Sequence, residues 1–248
     1  MLIETFPDLA TLWKETTIRI IKDPSLWDAT RPPRLFSFPN LLTAETHEME
    51  ADLAWAGLTR SRWTRFLNRY VDPDKLDAWI ERARGAKGMT SLLWRTEEAD
   101  DHTGGECLIA VSYRPDQRIL TLYTREAEFP MRGILDATLA HKLGEAIGGG
   151  PIRVVWQMGG LYVSLMHALP FMYHYGILDE VKAMDTRAGR YTTYMTNHLS
   201  KDEATIKYGP AKRVLKRWKS MQEGTMVPVP IASLPLRVEQ KKRRRDAK

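Results

Sequence analysis

The sequence predicts an α+β or mixed α/β fold, a β-sheet packed with helices, and three observations carry that prediction. Two β-rich runs, residues 107–113 and 119–125, are joined by Arg114-Pro115-Asp116-Gln117, which reads as a hairpin. Residues 133–147 place Ile134, Leu135, Leu139, Leu143 and Ile147 on one helical face and stop at Gly148-Gly149-Gly150. Strands and helices otherwise mix without strict βαβ alternation, and no internal repeat occurs.

Along the chain, residues 8–22 space apolar side chains at helical intervals, with Asp8 as N-cap and Pro24 as terminator. Leu35-Phe36-Ser37-Phe38 reads as a strand stopped by Pro39. Residues 45–70 read as helical, with Leu53, Trp55, Leu58, Trp63, Phe66 and Leu67 pointing inward. Asp72-Pro73-Asp74 starts a further helix to about Arg84, broken at 85–88. Residues 89–94 read as a buried strand, and 96–105 as a solvated acidic loop. Residues 152–156 form a strand, and 177–187 a helix. Ser200 and Glu203 fit a capping box. Pro210 opens a basic amphipathic helix with Val214, Leu215, Trp218 and Met221 on one face. The domain reading is one unit over 1–222, followed by an extended, Pro-containing basic tail over 223–248, disordered at its end.

Composition limits the function classes. One cysteine in 248 residues excludes an intramolecular disulfide and a cysteine-based zinc cluster, and fits a reducing, cytoplasmic setting. The N-terminus lacks the pattern of a signal peptide, and no apolar run reaches the length of a membrane span. The net charge of +6 is unevenly spread: residues 1–200 carry 23 bases and 26 acids, whereas 241–248 carry six bases and one acid. A basic tail of this kind either solubilises or makes weak, salt-sensitive contacts with nucleic acid.

The hairpin carries the chemistry. Cys107 opens its first run and Arg125 closes its second. A cation near a thiol favours the thiolate, the nucleophilic form; the alternative is a buried cysteine beside an unrelated arginine. Other signals are weaker. His167 and His174 are seven apart, not a metal-ligand spacing, and read as core or surface histidines. Gly148-Gly149-Gly150-Pro151 lacks the Lys-Ser/Thr of a phosphate loop.

Cys107 is followed 18 residues on by Arg125, then 11 residues on by Asp136, then by Trp156-Gln157-Met158-Gly159 and the pair Tyr162/Ser164. Upstream stands Asp52-Leu53-Ala54-Trp55. This order resembles the thymidylate synthase superfamily, and within it the deoxycytidylate hydroxymethylases of phages. The resemblance covers roughly 45–170. It implies an α+β fold with a mixed sheet and a sheet-mediated homodimer. It implies folate-dependent one-carbon transfer to carbon 5 of a pyrimidine nucleoside monophosphate, with 5,10-methylenetetrahydrofolate as cofactor. Cys107 would be the nucleophile, and Asp52, or the neighbouring Glu48 or Glu50, would organise proton transfer. Arg125 would hold the phosphate, with Glu128, Tyr162, Ser164 and Arg31 around the substrate.

Asp136 is the discriminating match. The synthases carry Asn there and the cytidylate enzymes Asp, and a carboxyl sharing a proton with ring nitrogen 3 complements cytosine. The alternative is that Asp136 serves its helix N-terminus. The chain also departs from the pattern. Lys87-Gly88 stands where the family has adjacent arginines. Glu126 replaces a serine, Tyr162/Ser164 replace His and Tyr, and Pro130-Met131-Arg132 replaces a glycine-bearing loop. Arg31, Arg34 or Arg132 would then have to compensate. The second reading is a catalytically inactive relative that binds nucleic acid or a protein through its basic C-terminal region.

Overall fold

The computed structural model describes residues 2–28, 34–37, 40–50, 53–56, 58–94, 108–199, 209–227 and 229–237. Strand β1 (Leu2–Phe6) leads into α1 (Leu9–Lys22), which Asp8 caps by accepting from the Thr11 amide at 2.8 Å. Then come β2 (Leu26–Asp28), β3 (Arg34–Ser37), β4 (Asn40–Ala44), α2 (Arg60–Tyr70), α3 (Pro73–Gly85) and β5 (Thr90–Leu93). The expected hairpin is β6 (Leu108–Arg114) and β7 (Ile119–Phe129), and it feeds α4 (Gly133–Ile147). The C-terminal part holds β8 (Arg153–Ser164), α5 (Leu165–His174), α6 (Leu178–Ala183), α7 (Arg187–Leu199) and α8 (Gly209–Gln222).

The strands form one mixed sheet in the order β1-β4-β8-β7-β6-β5, with β3 also on β8 and β2 on β3. β7 and β8 are parallel, with Glu128 opposite Tyr162; β6 and β7 are antiparallel. Alternation gives the sheet two unlike faces. Leu42, Leu120, Leu122, Val154 and Trp156 are buried on one. On the other, Leu41, Thr121, Tyr123, Val155 and Gln157 are half-buried or exposed. Helix α1 packs on α4 and β8, and α5 packs on α7 and α8.

Four expectations are corrected. The helix expected over 45–70 begins only at Arg60, where Thr59 caps α2. The stretch before it is loop among the described residues, anchored by buried His47, whose Nδ1 accepts from the Ile152 amide. Leu53, Trp55 and Leu58 are still buried, because the core collects them without helical spacing. Strand β5 is an edge strand with Leu93 exposed rather than a buried one. The helix expected over 177–187 is only α6, which ends at Ala183 before α7 starts at Arg187; the break lies around Met184, whose carbonyl stands 2.2 Å from where a Cβ on Gly189 would lie. Finally, residues 229–237 fold back rather than extend. Ile231 and Leu234 are buried, and Trp63 Nε1 donates to the Pro235 carbonyl at 2.6 Å. The Ser200/Glu203 capping box and the 96–105 loop lie outside the described residues.

Candidate functional site

Past Thr124, β7 turns Glu126 and Glu128 to the same side by its period of two, and Pro130 ends the strand. The chain turns directly into α4, whose first turn carries Asp136. Beside β7, β8 presents Tyr162, and α5 presents His167. Helices α2 and α8 close the opposite wall with Arg62, Arg65, Arg213 and Arg217. The cleft between these walls has a volume of about 790 Å³, within the range of small-molecule and cofactor sites.

Glu128, 4% exposed, is the electrostatic centre. Its Oε1 accepts from His167 Nδ1, and its Oε2 lies 3.0 Å from Arg132 Nε. Burial opposes its ionisation, but the His167 hydrogen bond and the charges of His167, Arg132 and Arg62 outweigh that and hold it below the ordinary glutamate value. Asp136, on the same wall, has the opposite fate. Burial pushes its carboxyl up to about 8 against the pull of Arg132, so it is protonated at neutral pH. Two nearby carboxyl groups are thereby set to different protonation states, a hallmark of sites that handle protons. Burial, then Glu128, raise the Tyr162 phenol to about 12, which keeps it a neutral donor. Its ring packs against Phe36, tilted by 35° with centroids 5.4 Å apart, and the Arg34 guanidinium lies over it at 5.1 Å.

The arginine wall is partly structural. Arg62 Nη1 donates to the Ala56 carbonyl at 2.7 Å and its Nη2 to the Met131 carbonyl. Arg217 Nη1 reaches the same Ala56 carbonyl at 3.2 Å. Burial, then Arg62 and Arg213, lower Arg217 to about 10.

Of the residues expected at the site, Glu128, Asp136 and Tyr162 meet in this cleft. Arg125 does not line it; it is exposed on β7, in register with the open-face residues Thr121 and Tyr123. Ser164 is buried at the start of α5, and its hydroxyl has no hydrogen-bond partner among the described residues. Glu48 and Glu50 are exposed. Cys107, Asp52 and Arg31 lie outside the described residues. Sequence reading missed His167 and the arginines of α2 and α8. The helical spacing of Arg62 and Arg65, and of Arg213 and Arg217, was a usable signal, since each pair shares a face. No group of three or more His, Cys, Asp or Glu that would hold a metal occurs among the described residues, and no helix there is long and apolar enough to cross a membrane.

No protein-family model and no curated protein sequence matches the chain. Among solved structures, it is similar to the thermostable thymidylate synthase A from Bacillus subtilis, with 11% identity over 64% of this chain and 81% of that one, at a TM-score of 0.41.

Proposed function

We propose that the cleft binds a pyrimidine nucleoside monophosphate and that the chain transfers a one-carbon unit to carbon 5 of its base, as hydroxymethylation of a cytosine nucleotide. One observation carries the reading. Asp136, the residue that the resemblance assigns to reading the base, is buried in a guanidinium-lined cleft and protonated at neutral pH. A neutral carboxyl donates through O–H and accepts through C=O, which complements ring nitrogen 3 and the 4-amino group of cytosine.

The remaining roles follow from the resemblance and from the cleft. Cys107 thiolate adds to ring carbon 6, forming a carbon–sulfur bond and placing the electron pair at carbon 5. The proton that carbon 5 later loses needs an acceptor. Glu128 and His167 supply a candidate relay in addition to the role the resemblance gives Asp52, because Nδ1–H donates to the carboxylate and leaves Nε2 to exchange a proton with the ligand. Tyr162 donates to the ligand from β8, and of the two arginines that the resemblance assigns to the phosphate Arg31 is the candidate, since Arg125 does not line the cleft. The implied 5,10-methylenetetrahydrofolate carries a flat ring and a carboxylate tail. A cleft of this volume has room for such a ligand beside the base. When bound it supplies the one-carbon unit. The half-exposed sheet face around Tyr123 and Val155 favours a homodimer formed through it.

The test is release of tritium from carbon 5 of deoxycytidine and deoxyuridine monophosphates, with and without the folate. Folate-dependent release, greater with the cytosine nucleotide, is expected. No release from either sinks the reading and favours an inactive relative.

A further inference from the structure

We infer that the corner of the cleft between α2 and α8 is an oxyanion subsite that takes the phosphate of a nucleotide, with every guanidinium supplied by one chain. The inference rests on the functional reading above for the rest of the ligand.

Four arginines converge there. Arg62 and Arg217 hold the same Ala56 carbonyl at 2.7 and 3.2 Å, and Arg217 Nη1 also lies 3.4 Å from Met131 Sδ. Arg65 follows Arg62 by one turn of α2, and Arg213 precedes Arg217 by one turn of α8. All four line the cleft, and among the described residues no acid pairs with Arg65 or Arg213. Like charges held this close repel: Arg62 and Arg217 are both lowered, by burial first, then at Arg217 by Arg62 and Arg213, and at Arg62 by Arg132 and Arg65 against the pull of Glu128. The acids of the cleft relieve this only in part, through the pull of Glu128 on Arg62 and the presence of Glu126 on the β7 wall. Glu128 is committed to His167 and Arg132, and Asp136 is neutral at neutral pH. The first turn of α2, capped by Thr59 at the cleft wall, holds no acid either. A bound dianion would neutralise the cluster. A phosphate suits it best, because planar guanidinium forks engage two phosphate oxygens at once. The subsite also answers the departures in sequence: it needs neither the missing arginine pair at Lys87-Gly88 nor Arg125.

The test is calorimetric titration of the full chain with inorganic phosphate, with deoxycytidine monophosphate and with deoxycytidine. Wild type is compared with Arg65→Gln/Arg213→Gln and with Arg187→Gln/Arg190→Gln, which removes the same charge away from the cleft. Arg65 and Arg213 are exposed, so their replacement leaves the fold intact. Phosphate should bind, compete with the nucleotide and weaken with added salt. The Arg65/Arg213 variant should lose about tenfold or more in affinity for both phosphate and nucleotide, and nothing for the nucleoside. The control variant should match wild type. Absence of phosphate binding to wild type, or equal binding by the Arg65/Arg213 variant, overturns the inference. If that happens while tritium release persists, the functional reading stands alone. If phosphate binds as expected and no tritium is released, the subsite stands and the reaction falls.

Discussion

Glu128 and His167, 39 residues apart in the chain, are hydrogen-bonded through Oε1 and Nδ1 inside the cleft. With the carboxylate as acceptor, the imidazole is fixed as donor through Nδ1, and its Nε2 becomes the atom available to a ligand. Position 128 has the right parity on β7 to face the cleft, and His167 reaches it from the first turn of α5.

Glu128→Gln should therefore lose stability in a pH-dependent way. The native carboxyl is held below its ordinary value of 4.5, so its contribution is present above that value and is lost as pH falls through the lowered one. Urea unfolding at neutral pH should show a deficit of about 1.5–3 kcal/mol for the variant, as expected for a buried charge-assisted hydrogen bond. Below pH 4.5 the two proteins should converge. His167→Gln should cut tritium release by roughly a hundredfold or more if Nε2 moves a proton. A variant that keeps full release removes His167 from the relay.

Gly159 is a second point of strict geometry. A Cβ there would stand 2.8 Å from the Arg125 carbonyl oxygen on β7. Gly159→Ala must push apart the strands that align Glu128 with Tyr162, at a cost of about 1–3 kcal/mol. Thermal unfolding should show a clear drop in Tm, and an unchanged Tm would mean that the β7–β8 spacing is looser than this.

The C-terminal segment is a third. Ile231 and Leu234 are buried, and Pro235 accepts from Trp63 on α2, the helix that carries Arg62 and Arg65. Removing residues 229–248 should cost about 3–6 kcal/mol from those two side chains alone. It should also weaken phosphate binding by loosening α2. Urea unfolding of the truncated chain checks the first effect and calorimetry the second.

The sequence made local features legible and hid the assembled ones. Asp8, Pro24 and the glycines after Ile147 are short-range signals, and α1 and α4 lie where they point. The Pro115-Asp116 turn likewise announced the β6–β7 hairpin. By contrast β1 and β4, five residues each, exist through a parallel pairing across α1 that no local pattern encodes. The loop before α2 read as helix because its tryptophan and leucines fall at near-helical intervals, whereas tertiary packing around His47 decides its path. Glu128, Asp136 and Tyr162 were named from the resemblance, and β7, α4 and β8 bring the three to one cleft. Arg62 and Arg217 were not legible, since their meeting at Ala56 depends on α8 folding back against the chain ahead of α2.

Asp136→Asn tests the site most directly, through stability and through chemistry. Its carboxyl titrates near 3.8 when unfolded and near 8 when folded. The neutral form therefore favours the folded state in full below 3.8, and that contribution is lost as pH rises through about 8. The asparagine variant has no such loss, so its stability should gain on wild type between these values and run parallel above them. The chemical consequence has the same origin. Protonated Asp136 offers one donor and one acceptor, matching nitrogen 3 and the 4-amino group of cytosine; ionised, it offers acceptors alone. The amide keeps a fixed donor and acceptor at every pH, and its rotation suits the acceptor–donor edge of uracil. A mismatched buried pair costs on the order of 1–3 kcal/mol per group. The ratio of tritium release from cytosine and uracil nucleotides should therefore move towards uracil by roughly ten- to a hundredfold. Wild-type release from the cytosine nucleotide should fall above pH 8 while release by the variant stays level. If the stability difference tracks pH as expected but the ratio of rates does not move, Asp136 is a buried acid of α4 that serves its helix and does not read the base.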